Sequence, residues 1–130
     1  MSEYNLVVTI GREAFNLSGC LDEADIEEMC ITRVDDPDRA CPFDATFQLV
    51  WKGHRFSLKF VGIETMEVES FHFHGPAFDH TWLWDITDHG FERARYRAQG
   101  GGWHIDAARL EVREADKPDL LHLRFEPRPT

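Results

Sequence analysis

Residues 43–60 read FDATFQLVWKGHRFSLKF, and this stretch decides the fold of the 130-residue chain. Within residues 43–51 apolar side chains alternate with more polar ones, the pair Lys52-Gly53 follows, and the alternation resumes over residues 55–60. A period of two places alternate side chains on opposite faces of a strand, and a short turn with Gly joins two such strands. The stretch therefore predicts a β-hairpin with one buried face.

Most of the remaining chain also follows the period of two, with turn residues between the segments. The composition, 42% hydrophobic with ten Phe and four Trp, is sufficient for a core in one domain of residues 1–130. The predicted fold is mainly β (α+β), an antiparallel meander sheet or a two-layer β-sandwich of seven or eight strands with one short N-terminal helix. Beyond the hairpin, strands are predicted at 5–10, around Met66 and Val68, and at 81–86, 91–98, 103–112 and 121–125.

The short helix is predicted at about residues 22–31. Asp22 is suited to cap its start, and the turn residues from Asp35 to Asp38 end it. The apolar residues that recur near a helical period are Leu21, Ala24, Ile26, Met29 and Cys30.

Charge limits the classes of partner. Fourteen Lys and Arg against 24 Asp and Glu give a formal net charge of −10, which repels nucleic acid and anionic membranes and attracts cationic partners. The sequence shows no signal-peptide pattern and no apolar run of the roughly 20 residues that span a bilayer. We therefore expect a cytoplasmic protein that binds neither nucleic acid nor membrane.

Cys20, Cys30 and Cys41 fit neither a zinc motif nor a disulfide framework, and we expect reduced, mostly buried thiols.

The acidic residues concentrate between positions 22 and 38, where Arg33 is the one basic residue. Such a run is typical of a solvated helix face with a loop, and it also suits a docking surface for a basic protein, because complementary charge speeds association and selects partners. The candidate partner-binding residues are Asp22, Glu23, Asp25, Glu27, Glu28, Asp35, Asp36 and Asp38.

A second cluster contains the residue types that bind metals. His72 and His74 lie two apart, so a strand would put both imidazoles on one face, and Asp79 and His80 follow closely. Imidazole and carboxylate ligands suit zinc or non-haem iron. The same residues also fit a solvent-facing strip of histidines above buried phenylalanines, and this interpretation needs no metal or other cofactor.

Three arginines, Arg93, Arg95 and Arg97, share one face of the strand predicted at 91–98. Guanidinium groups bind phosphate or carboxylate in pairs, so this face is a candidate anion clamp. In an acidic chain it also suits cross-strand ion pairs with Glu67, Glu69 or Asp85. No complete catalytic set is recognisable, so we predict no catalytic residues and no enzymatic activity.

Two segments resemble a known family. Residues 56–71, FSLKFVGIETMEVESF, and residues 79–86, DHTWLWDI, are similar to the small bacterial immunity proteins of polymorphic toxin systems, especially the immunity protein 50 type. The resemblance lies in a strand that ends near a Gly, an alternating strand after it, and a later strand of alternating apolar residues. It implies a cytosolic, non-enzymatic protein that binds and blocks a cognate toxin, often a basic nuclease or another hydrolase.

The charge and the resemblance predict the same function. We expect an immunity-type protein that neutralises a cationic toxin by electrostatic and steric occlusion, with an aromatic of the sheet as an apolar anchor. The alternative is a small metal-binding β-domain or metalloenzyme that uses His72, His74, Asp79 and His80. An exposed sheet edge leaves open both a homodimer and the addition of a partner strand.

Overall fold

The computed structural model describes residues 4–10, 12–16, 24–68, 82–87, 90, 92–100 and 102–127. These residues form nine β-strands in two antiparallel sheets, so the mainly β prediction is confirmed. No described segment forms a helix with the length and apolar character that a bilayer crossing needs. The strands are β1 (Tyr4–Ile10), β2 (Glu13–Asn16), β3 (Asp25–Arg33), β4 (Phe43–Trp51), β5 (His54–Val68), β6 (Trp82–Asp85), β7 (Tyr96–Gly100), β8 (Trp103–Glu114) and β9 (Leu123–Pro127).

The larger sheet has the strand order β3-β4-β5-β8-β7-β6, and the smaller has the order β2-β1-β9. The predicted hairpin is confirmed as β4 and β5, which pair from Ala45 opposite Phe60 to Trp51 opposite His54. Its two-residue turn has positive φ at both Lys52 (46°) and Gly53 (79°), the geometry of a type I′ turn. The local sequence therefore sets the register of the strands at the centre of the large sheet.

One hydrophobic core joins the two sheets. Phe47, Leu58 and Ile105 of the large sheet are fully buried, and Val8 of β1 belongs to the same cluster at 1% exposure. Leu123 of β9 packs against this cluster. The small sheet thus covers part of the apolar face of the large one. The opposite face of the large sheet carries polar side chains such as Gln48, Ser57 and Arg113, which align across β4, β5 and β8. We call this the outer face.

The helix predicted at 22–31 is wrong over residues 25–31, which belong to β3. A β-bulge lies between Ile26, which pairs with Leu49, and Glu28, which pairs with Gln48. Because the bulge adds one residue, Ile26 and Met29 both align with buried positions of β4 although they are three apart in sequence. A spacing of three imitates a helical period, and this explains the wrong prediction.

A second irregularity lies within β5. The hairpin strand and the strand around Met66 and Val68 were predicted as separate strands, but β5 runs through both for 15 residues, and its pairing with β8 shifts register between Ile63 and Thr65. Gly62 has a φ of 69°, and a Cβ at that position would lie 3.3 Å from the Cβ of Ala108. The positive φ therefore favours glycine here, and a larger side chain would also require Ala108 to shift by a few tenths of an ångström.

Candidate functional site

Six of the eight predicted partner-binding residues are described, and all six are exposed. Asp22 and Glu23 lie outside the described residues. The six define what we call the acidic strip: Asp25, Glu27, Glu28, Asp35, Asp36 and Asp38.

Strand β3 positions the first half of the acidic strip. Asp25 pairs with Val50 and Glu28 with Gln48, and both of these β4 residues lie on the outer face. Glu27 sits in the bulge, where its carboxylate accepts a hydrogen bond of 3.1 Å from Arg55. The bulge therefore brings two successive carboxylates to the outer side of the strand, which regular alternation would have separated.

The loop of residues 34–42 carries the second half of the acidic strip. The backbone N–H of Val34 donates to the carbonyl of Pro42 at 2.7 Å, which closes the base of the loop. Asp36 Oδ1 accepts the backbone N–H of Asp38 at 2.9 Å, so Asp36 also shapes the turn. Asp35 contacts Arg33 only loosely, at 3.8 Å between two exposed side chains, and such pairs contribute little stability.

Strand β3 is an edge of the large sheet among the described strands. Four successive residues, from Cys30 to Arg33, have exposed side chains, so this part of the strand is uncovered on both faces. Ile31 is 51% exposed and the nearby Phe43 is 44% exposed. The edge thus offers backbone hydrogen-bonding groups, apolar contacts and carboxylates together.

The exposed Cys30 and half-buried Cys41 are both free thiols, which corrects the expectation of mostly buried cysteines.

A buried ion pair attaches the loop to the sheet. Asp44 is 3% exposed, and it accepts hydrogen bonds from Arg39 at 2.6 and 3.4 Å and from the backbone N–H of Gly62 at 2.9 Å. Lys59 Nζ lies 3.7 Å from the same carboxylate. Burial raises the pKa of Asp44, but the hydrogen bonds from Arg39 and Gly62 outweigh it and hold the pKa below its ordinary value. The hydrogen bond to Asp44 raises the pKa of Arg39.

Beneath the loop lies a cleft of about 590 Å³. Sequence reasoning did not find it, because its walls come from the loop, from β5 and β8, and from residue 93. The available signals were Gly62 between two predicted strands and Asp44 at a polar position of the hairpin. The cleft is lined by four cationic side chains, Arg39, Lys59, Arg93 and Arg109, by the carboxylates of Asp36, Asp44 and Glu111, and by apolar groups that include Val34, Ala40, Val61 and Ala108.

The strand predicted at 91–98, which was to carry the arginine face, begins later than predicted. Strand β7 begins at Tyr96, so Arg93 and Arg95 precede it. Arg97 forms a forked cross-strand pair with Asp106, at 2.6 and 3.0 Å. The hydrogen bond to the fully buried Asp106 raises the pKa of Arg97. The three arginines therefore do not form one anion clamp, and Arg93 joins the cleft instead.

The alternative metal site falls outside the described residues, since His72, His74, Asp79 and His80 all lie within 69–81. Within the described part of the chain, no group of three or more His, Cys, Asp or Glu side chains is arranged to hold a metal ion. The metal site stays a prediction.

Comparison with known proteins gave no match to a family model, a curated protein or a solved structure. The resemblance to immunity proteins therefore remains a prediction that rests on the two sequence segments.

Proposed function

We propose that this chain is an immunity-type binding protein that neutralises a basic toxin by covering its cationic surface with the acidic strip and the edge of β3. The observation that carries the proposal is the position of six exposed carboxylates along one edge strand and the loop that follows it. This charge run is solvent-exposed, as a simple solvated segment would be, but it also adjoins a strand edge that no other described strand covers.

The edge supplies contacts that charge alone does not give. A strand added to β3 would form backbone hydrogen bonds, and its alternate side chains would reach both faces of the sheet. On one side they would meet Asp25 and Glu28, and on the other the exposed Ile31 and Phe43. Phe43 is then the aromatic anchor that the sequence led us to expect.

Electrostatics also favours a cationic partner over a second copy of this chain. The described part of β3 carries three carboxylates and the single cation Arg33, and each copy has a formal net charge of −10. Pairing two such edges would bring like charges together, whereas lysines or arginines of a toxin would be attracted. Occupying those cations would also prevent the toxin from using them on its substrate.

The test begins with affinity capture from the native host and identification of the bound protein by mass spectrometry. The purified partner is then used to measure association rates for two variants with the same charge change. The first neutralises Asp25, Glu28, Asp35 and Asp38 by Asp→Asn and Glu→Gln substitutions. The matched control neutralises the exposed residues Glu67, Glu92, Asp116 and Asp119, which lie outside the acidic strip.

We expect the strip variant to associate at least about tenfold more slowly at low salt, with a flatter dependence on ionic strength, because it loses steering charge at the contact. The control variant should change far less. Co-expression should also protect cells from the partner's toxicity, and the strip variant should protect them less. Equal rates for the two variants, or a partner that is neither basic nor toxic, would contradict the proposal.

A further inference from the structure

We propose that the cleft beneath loop 34–42 binds a small phosphate monoester. The proposal does not depend on a toxin partner, although Asp36 of the acidic strip lies at one wall of the cleft. It rests on the charge of the cleft, on the hydrogen bonds and ion pairs of its charged residues, and on its shape.

The local charge of the cleft is opposite in sign to that of the whole molecule. Four cations face three carboxylates, an excess of one positive charge, in a chain whose formal net charge is −10. Guanidinium and ammonium groups that converge on one cavity are suited to a phosphate group, because guanidinium donates in a fork and ammonium acts as a compact charge.

The three carboxylates of the cleft already have partners within the protein. Asp44 accepts from Arg39 and Gly62, Asp36 accepts from the backbone of Asp38, and Glu111 lies 3.1 Å from Arg109. These contacts reduce the repulsion that an incoming anion would otherwise meet.

Two of the four cations retain capacity for a ligand, as judged from the contacts of the described residues. The backbone N–H of Arg93 donates to Glu64 at 3.2 Å, which holds the chain at the wall of the cleft. Within the described part of the chain, no residue gives the Arg93 guanidinium a hydrogen bond or an ion pair. Lys59 is 3.7 Å from Asp44, and its side chain is 37% exposed, so its ammonium group also retains capacity for a second anion.

The shape of the cleft favours an organic phosphate over the bare ion. A volume of about 590 Å³ falls within the range of small-molecule sites and exceeds what one phosphate group fills. Apolar groups of Val34, Val61 and Ala108 line the same space and would contact the organic part of the ligand. A cavity lined by both cationic and apolar groups suits a phosphate monoester.

The test is thermal unfolding of the full chain in inorganic phosphate and in phenyl phosphate, each compared with sodium chloride at the same ionic strength. A ligand that binds the folded state raises the unfolding midpoint as its concentration increases. We expect both phosphates to raise the midpoint above that in chloride, and phenyl phosphate to do so at lower concentration. Arg93→Ala should weaken phosphate binding by about tenfold or more, the effect of losing one charge-assisted contact.

Arg124→Ala is the matched control, because it removes the same charge from an exposed side chain on the small sheet, where Arg124 pairs with Glu126. A second variant, Arg109→Gln, changes a different cation of the cleft and should also weaken binding. No stabilisation beyond chloride, or equal stabilisation of the Arg93 and Arg124 variants, would overturn the site. Equal binding of inorganic phosphate and phenyl phosphate would contradict the preference for a phosphate monoester.

Discussion

At the residue scale, Asp44 links the loop, the hairpin and the bulge of β5. Its carboxylate is buried, yet Arg39, Lys59 and the Gly62 N–H all approach it. A buried carboxylate is stable only when such partners compensate its lost hydration. The sequence indicated Asp44 only as a polar residue of the hairpin, because the partners lie 5, 15 and 18 positions away and meet it only after the loop folds over the sheet.

The Asp44 carboxylate should make stability depend on pH. Because its pKa in the folded protein lies below the ordinary value of 3.8, its stabilisation is fully present above about that pH and is lost as pH falls through the folded pKa. We expect Asp44→Asn to lower the free energy of unfolding by about 2 kcal/mol at neutral pH. The difference from the wild type should shrink as the solution is acidified below pH 3.8.

Urea unfolding of both proteins across this pH range measures the effect. Asp119→Asn, at an exposed position, is the control and should leave the free energy of unfolding nearly unchanged. A difference between wild type and Asp44→Asn that stays constant down to the acid limit of folding would show that ionisation of Asp44 is not the cause.

At the scale of the elements, regular alternation was predictable and irregular pairing was not. Residues 43–60 form the predicted hairpin because alternation, turn and register all agree. In β3 the bulge puts Ile26 and Met29 on the buried side at a helical spacing, and only pairing with β4 distinguishes this from a helix. The cleft depends on the same non-local pairing, so its ligating groups were not recognisable as a set.

The bulge in β5 should make Gly62 more sensitive to substitution than Gly53, although both have positive φ. An alanine at either position incurs the left-handed backbone cost of about 1–2 kcal/mol. At Gly62 the new Cβ would also lie 3.3 Å from Ala108, whereas at Gly53 nothing lies within 4 Å. We expect Gly62→Ala to lower the free energy of unfolding by about 1 kcal/mol more than Gly53→Ala. Chemical denaturation measures the free energy of unfolding of both variants. Equal losses would mean that Ala108 can move away from the new Cβ without loss of stability.

At the scale of the whole molecule, the balance of charge differs between the acidic strip and the cleft. Carboxylates follow the β3 edge and its loop, while cations gather at the cleft beside them. The formal net charge of −10 predicts repulsion of nucleic acid and anionic membranes, and the cleft differs locally because pairing across β5 and β8 brings basic residues together. The cationic partner and the phosphate ligand that we propose would therefore use neighbouring regions, which meet at Asp36.

The shared core should also make the two sheets unfold together. All four tryptophans, at positions 51, 82, 84 and 103, lie in strands of the large sheet, so their fluorescence reports that sheet alone. Val8 belongs to the small sheet but is buried in the common core. Val8→Ala should remove about 2 kcal/mol and lower the midpoint of the tryptophan transition by about 6 °C. Far-ultraviolet circular dichroism, which reports both sheets, should give the same midpoint. The opposite outcome would be an unchanged fluorescence midpoint together with a second transition at lower temperature. It would show that the small sheet unfolds independently, because the loss of the Val8 side chain would then destabilise the small sheet without destabilising the large one.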